Sequence, residues 1–161
     1  MKALVVYDSS YGNTEALARA IGEAAGEGAT VISAAQAGRS DFEQLDVLIV
    51  GSPTQGGRPT ASLTKLLTGI PANGLGRTLV AAFDTRFAAA ERGLGLRLLM
   101  KVIGYAAPRI AKTLEEKGGR LAAPPEGFIV EDKEGPLKPG ELKRASEWAN
   151  VIVSHYRQQI T

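Results

Sequence analysis

Cysteine is absent from this 161-residue chain, and histidine occurs only once, at His155. Without cysteine the protein has no disulfide, no thiolate nucleophile and no thiolate ligand for an iron–sulfur cluster. One histidine does not build a zinc site by itself, so no metal site is expected. The lack of cysteine is compatible with a cytoplasmic protein, which is the location that we expect.

Long apolar runs and a strong charge imbalance are also missing. No stretch approaches the ~20 apolar residues that cross a bilayer, and Ala3–Tyr7 is too short for a signal peptide. The net charge of +2 gives no general reason to expect a nucleic-acid partner. Hydrophobic residues make up 44% of the chain, which suits a single domain over residues 1–161 with one sizeable core.

Short apolar segments alternate with segments of helical periodicity. Buried strands are predicted at Lys2–Tyr7, Ala29–Ser33, Val47–Val50, Thr78–Phe83 and, interrupted by Pro124 and Pro125, at Leu121–Ala123 and Phe128–Val130. Helices are predicted at Asn13–Glu27, Thr60–Thr68, Ala107–Lys117 and Pro139–Gln159, with Gln36–Gln44 as a polar connection. In the last helix, the candidate inward residues are Leu142, Trp148, Val151, Ile152 and Tyr156. This order predicts an α/β fold in which helices cover both faces of a parallel sheet.

The loop between the first strand and the first helix carries the most informative motif, Ser9-Ser10-Tyr11-Gly12-Asn13-Thr14. A helix N-terminus offers free N–H groups and a partial positive charge, which suit a phosphate, and Gly12 allows a ligand to approach the backbone closely. No Lys or Arg lies between Asp8 and Ala18, so neutral donors would hold the phosphate. The loop has neither the Gly-Lys-Ser/Thr ending of an ATP-binding loop nor G-x-G-x-x-G spacing. An ordinary helix cap by Ser or Asn is the alternative.

This loop resembles the FMN phosphate loop of the flavodoxin family, whose pattern is Ser/Thr-x-Thr/Tyr/Phe-Gly-x-Thr, and the resemblance extends through the order of elements along most of the chain. It implies a three-layer, doubly wound sheet of five parallel strands in the order 2-1-3-4-5, of which flavodoxin is itself a standard example, with FMN at the switch point between strands 1 and 3. It also implies that backbone N–H groups and hydroxyls hold the FMN phosphate, from residues Ser9, Ser10, Tyr11, Gly12, Asn13 and Thr14.

Two further loops would hold the flavin ring, because a ligand at the switch point also touches the loops after strands 3 and 4. By resemblance, the first loop contributes Pro53, Thr54, Gln55, Gly56 and Gly57, and the second contributes Asp84, Thr85, Arg86 and Phe87. Flavodoxins often have an aromatic residue where this chain has Gln55. Phe87 is a candidate to stack on the flavin, or else packs under the next helix. Arg86 is a candidate for the N1/O2 edge of the ring, or else is solvated.

The ring loops carry Arg58 and Arg86 against one acid, Asp84. Positive charge near the flavin stabilises its reduced anion, so this balance predicts a less negative second reduction potential than in a typical flavodoxin.

A basic, apolar segment lies between Glu91 and Glu115, where the sequence has no acidic residue. It contains five basic residues between Arg92 and Lys112, interleaved with leucines. One interpretation is a docking surface for an acidic redox partner, or a peripheral contact with an anionic membrane. The other is an ordinary amphipathic helix whose leucines face the core.

Three functions are compatible with these features. The first is an FMN-binding electron carrier between redox partner proteins, favoured over an enzyme because no catalytic nucleophile–base pair or paired carboxylates are evident. The second is an FMN-dependent reductase or oxidase of a small molecule such as a quinone or porphyrinogen, with a substrate pocket formed by Arg86, Phe87 and Ala88–Tyr105. The third is a flavin-free interaction module with the same fold.

Overall fold

In the computed structural model, which describes residues 1–88 and 93–161, one sheet contains six strands that all pair in parallel. The strands are β1 (Ala3–Tyr7), β2 (Ala29–Ser33), β3 (Val47–Pro53), β4 (Leu79–Phe87), β5 (Arg120–Leu121) and β6 (Glu126–Val130). Their order is β2-β1-β3-β4-β5, and β6 also pairs with β4. The predicted order 2-1-3-4-5 is confirmed, and its fifth position is filled by two short strands on either side of the two prolines.

Five α-helices connect the strands within the described residues: α1 (Asn13–Ala25), α2 (Ala61–Thr68), α3 (Leu94–Ile103), α4 (Ala106–Glu116) and α5 (Glu141–Gln159). The segment predicted as a polar connection contains a short 3-10 helix, Arg39–Phe42. Thr60, predicted as the first residue of α2, precedes it as the cap, and its side chain accepts from the Leu63 N–H. None of the described helices is both long and apolar enough to span a bilayer.

Alternate strand residues face two separate cores. One core lies between one face of the sheet and helices α1 and α5, and it includes Val5 of β1. The other lies between the opposite face and helices α2 and α4, and it includes Val6. Helices therefore cover both faces of the sheet, as predicted. The inward assignment of Trp148 and Ile152 is confirmed, but Leu142 and Val151 are exposed.

Strands β3 and β4 run further than predicted. The predicted loop Asp84–Phe87 forms the end of β4, because β6 pairs with it from Phe83↔Glu126 to Phe87↔Val130. Side chains alternate between the faces of a strand, so Asp84 and Arg86 share one face while Thr85 and Phe87 share the other. This alternation determines which residues reach each side of the candidate site.

Helix α3 belongs to neither core, since no residue of Leu94–Ile103 is buried. The expectation that its leucines face the core is wrong. The helix follows β4 and leads directly into α4 through Gly104 and Tyr105, so it has no strand of its own to cover. Arg92, with which the predicted docking segment begins, lies outside the described residues.

Candidate functional site

A cleft of about 340 Å³ opens at the carboxyl ends of β1, β3, β4 and β6. Eleven of the fifteen predicted site residues line it: Ser9, Ser10, Tyr11, Asn13, Thr14, Pro53, Thr54, Gln55, Thr85, Arg86 and Phe87. The carboxyl ends of parallel strands meet at one edge of the sheet, which is why three segments distant in the sequence converge. Of the other four, Gly12 occupies the N-cap position of α1, Asp84 is hydrogen-bonded to Arg86, and Gly56 and Gly57 line a neighbouring cavity.

The phosphate loop ends at an uncapped helix. Gly12 is the N-cap of α1 with φ 90°, and no side chain in the described part of the chain forms a cap hydrogen bond there. The Ser9 hydroxyl instead accepts from the Gly12 N–H at 3.0 Å, within the loop itself. The alternative of an ordinary Ser or Asn cap is therefore wrong. The first-turn N–H groups of a helix have no partner within it, so this end offers donors to an anion.

Two hydrogen bonds connect the phosphate loop to the rest of the cleft. The Thr14 hydroxyl, almost fully buried, lies 3.1 Å from the Thr85 hydroxyl of β4. The Gln55 side-chain amide donates to the Ser10 hydroxyl at 3.2 Å, so the residue that departs from the family pattern bridges two loops. These bonds hold the loops in register without any charged group.

Asp8 supports the loop from behind. Its carboxylate accepts from the Thr60 hydroxyl at 2.6 Å, the Ser62 hydroxyl at 2.7 Å and the Ser9 N–H at 2.9 Å. These bonds connect the end of β1 to the start of α2. Sequence reasoning did not assign Asp8 this role, because its two hydroxyl partners, Thr60 and Ser62, are more than fifty residues away.

The Arg86 side chain is paired with a buried carboxylate and is not free in solvent. Its guanidinium forms two hydrogen bonds to Asp84, at 2.7 and 2.8 Å, and Asp84 also accepts from the Ala107 N–H at 2.8 Å. The Arg86 guanidinium carbon lies 3.6 Å from the centre of the Tyr105 ring. On another side is Gly127, where a Cβ atom would come within 2.1 Å of Arg86 Nε. The interpretation of Arg86 as a solvated side chain is therefore wrong.

This ion pair changes the charge balance inferred from the sequence. Asp84 compensates the charge of Arg86 at contact distance, and Arg58 lines a different groove, between α2 and α4. Burial raises the pKa of Asp84 above its ordinary value, while the Arg86 guanidinium opposes that rise. The described cleft instead gains Lys133, from the segment between β6 and α5, together with Val130. Neither was found from sequence, because Val130 ends the strand whose position was predicted least well and Lys133 follows it.

A second, smaller cavity of about 240 Å³ adjoins the cleft and is here called the side cavity. It shares Thr54, Arg86 and Phe87 with the cleft. Its remaining lining residues come from α3, the junction with α4 and the glycine pair: Leu96, Leu99, Met100, Ile103, Tyr105, Gly56 and Gly57. A Cβ atom on Gly57 would come within 2.1 Å of the Ile103 side chain, so α3 packs directly on this loop.

Comparison with solved structures shows the same fold throughout the chain. A flavodoxin from the domain Archaea is 22% identical, covering 98% of this chain and 99% of that chain, with a TM-score of 0.72. Flavodoxin 1 from Bacillus cereus is 18% identical, covering 96% and 99%, with a TM-score of 0.74. A WrbA-like flavodoxin from Agrobacterium tumefaciens is 20% identical, covering 97% of each chain, with a TM-score of 0.72.

No curated protein sequence matches this chain. The family model described as Flavodoxin matches residues 5–148, which include the loop Ser9–Thr14, both ring loops and the first part of α5. The chain therefore belongs to the flavodoxin family.

Proposed function

We propose that this protein binds FMN in the cleft and carries electrons between redox partners. The observation that carries this proposal is the convergence of the phosphate loop with both ring loops at the switch point between β1 and β3. Family membership supports it, because flavodoxins bind FMN. Bound FMN supplies reversible one- and two-electron chemistry, and the protein supplies binding, orientation and the electrostatic environment.

The residues at the α1 end fit a phosphate. The helix presents uncapped N–H groups, and hydroxyls from Ser9, Ser10 and Thr14 surround the same end of the cleft. Lys133 adds a positive charge to the lining. A dianion is stabilised by such donors even where the phosphate loop itself has no cation.

Other lining residues of the cleft fit a flat apolar ring. Pro53 at the end of β3 and the following Thr54 line the cleft on one side, and Phe87 lines it from the end of β4. Tyr11 and Phe87 are also exposed to solvent, at 48% and 37%. An electron carrier needs such a site, because a ring held between partly exposed side chains stays within reach of a partner's own redox group.

Titration of the apoprotein with FMN tests this proposal. We expect saturable quenching of flavin fluorescence with one site per chain. Thr14→Val keeps the shape of the side chain but removes the hydroxyl, and it should raise the Kd about tenfold or more. Thr113→Val is the matched control, because Thr113 is half-buried on α4 and bonds only within its helix in the described structure. If the wild-type protein quenches no flavin fluorescence, the proposal is wrong.

The side cavity favours a second candidate function, reduction of a small apolar acceptor. A molecule in this cavity would lie beside Arg86 and Phe87, which also line the cleft. Steady-state assays with NADH or NADPH and a soluble quinone distinguish the two functions. An enzyme should lose turnover in Leu96→Trp, which fills the cavity, but not in Leu98→Trp, which is not among the cavity-lining residues. A wild-type protein that binds FMN but shows no turnover favours the carrier.

A further inference from the structure

Helix α3 has two apolar faces on roughly opposite sides. Leu96, Met100 and Ile103 form the inner face, which lines the side cavity. Leu94, Leu98 and Val102 form the outer face and are exposed by 68%, 55% and 85%. With 3.6 residues per turn, the outer face spans an arc of about 80°. A contiguous exposed apolar face of this kind marks an interaction surface.

Positive charge adjoins the outer face. Arg97 and Lys101 lie one turn apart between the outer and inner faces, and both are exposed. From Gly93 through Leu114 the sequence has no acidic residue. Arg109 of α4 donates to the backbone carbonyls of Gly57 and Ile103 at 3.0 Å, which fixes the end of α3 against the ring loop. The helix therefore presents leucine and valine beside cations while its other side is anchored.

We infer that the outer face of α3 docks on an anionic lipid bilayer. Interfacial helices have this composition, with apolar side chains entering the boundary of the acyl region and Lys or Arg meeting anionic headgroups. An acidic protein surface fits less well, because energetically dominant protein contacts favour Trp, Tyr and Arg over Leu and Val, and protein interfaces are depleted in Lys. The inner face then positions the side cavity and the cleft beside the membrane.

Vesicle sedimentation with the full chain tests the inference. Phosphatidylcholine vesicles are compared with vesicles of phosphatidylcholine and phosphatidylglycerol in equal parts, at low and high salt. We expect binding only to the anionic vesicles, and release by salt, since headgroup attraction is screened. Leu98→Gln/Val102→Gln should lower the partition coefficient about tenfold or more. Arg97→Gln/Lys101→Gln should lower it roughly 30-fold.

Two double variants on α5 serve as matched controls. Leu142→Gln/Val151→Gln replaces two exposed apolar side chains, and Lys143→Gln/Arg157→Gln removes two exposed positive charges. Both should bind the vesicles like the wild-type protein. Circular dichroism on all variants verifies that each is folded.

Three outcomes overturn the inference. One is a wild-type protein that stays in the supernatant with anionic vesicles at low salt. Another is equal binding by the α3 variants and the wild type, or an equal loss in the α5 controls. The third is a wild-type protein that does not sediment with the vesicles but is retained on immobilised polyglutamate. That result would assign the outer face to an acidic protein partner instead.

Discussion

Helices α1 and α3 both border the candidate site, and both have apolar residues at helical spacing, yet they are used in opposite ways. In α1, Leu17, Ala18 and Ile21 are fully buried against the sheet and α5. In α3 no residue is buried. The difference teaches that periodicity identifies an apolar face without saying what covers it. Helix α1 directly covers β1 and β2, whereas α3 precedes a second helix that already covers β4.

The two helices are also held in place by different forces. The α1 side of the site depends on apolar burial over two neighbouring strands and α5. The described contacts on the α3 side include the Asp84–Arg86 pair, the Tyr105 ring over Arg86 and the close packing of Ile103 on Gly57. Four predictions examine this contrast, in order of decreasing effect.

Arg86→Met should have the largest effect. It leaves Asp84 buried without its cation, which typically costs about 3–5 kcal/mol of unfolding free energy. The loss, measured by urea unfolding, should be smaller at pH 5 than at pH 8. Burial raises the pKa of Asp84, and protonation at lower pH removes the unpaired charge. Arg58→Met, at an exposed position on the neighbouring loop, is the control, and equal stability of both variants would contradict the prediction.

Leu17→Ala and Leu98→Ala compare the two helices directly. The first creates a cavity in the core and should cost about 2–5 kcal/mol, whereas the second shortens an exposed side chain and should change stability by less than about 0.5 kcal/mol. Urea unfolding of both variants provides the measurement. If Leu98→Ala proves as destabilising as Leu17→Ala, α3 is packed rather than exposed.

Gly57→Ala examines the contact that holds the end of α3. The added Cβ atom would come within 2.1 Å of Ile103 Cγ2, and the backbone φ there is 76°. Displacement of Ile103 should cost about 1–3 kcal/mol. Gly56→Ala is the matched control, because its φ is 56° but a Cβ atom there meets nothing within 4 Å. The excess cost of Gly57→Ala over Gly56→Ala therefore measures the packing of Ile103, and equal costs would show that the contact is absent.

Glu141→Gln should have the smallest effect, on the α1 side. Burial raises the pKa of Glu141, but hydrogen bonds from Arg144 and from the Ile129 N–H outweigh it, so the pKa lies below its ordinary value of 4.5. Its ionised form therefore stabilises the fold above pH 4.5, and this contribution is lost as the pH falls below that value. At pH 7 the substitution should cost about 1 kcal/mol. Unfolding between pH 7 and pH 3 should show a flatter pH dependence in the variant, and an unchanged pH dependence would exclude the proposed role.

Most of the fold was accessible from sequence, because buried parallel strands are short continuous apolar runs and the elements alternate along the chain. The ends of β3 and β4 were exceptions, because both were predicted as loops. Asp84 and Arg86 are polar, and their place in the sheet depends on pairing with the end of β3 at Asp84 and with β6, some forty residues later, at both residues. The same distance explains why the role of Gly127 beside Arg86 was missed.

The sequence alone determined that the polar, glycine-containing loop Ser9–Thr14 leads from β1 into the start of α1, because a strand, a loop and a helix that are consecutive have a local geometry. It also determined that the loops after β3 and β4 reach the same edge, since parallel strands share a direction. Only the tertiary structure decided that Asp84 neutralises Arg86, that Lys133 enters the cleft and that α3 remains uncovered. Each of these depends on contacts between segments that are distant in the sequence. Burial and charge pairing arise only from such contacts, so neither segment determines them alone.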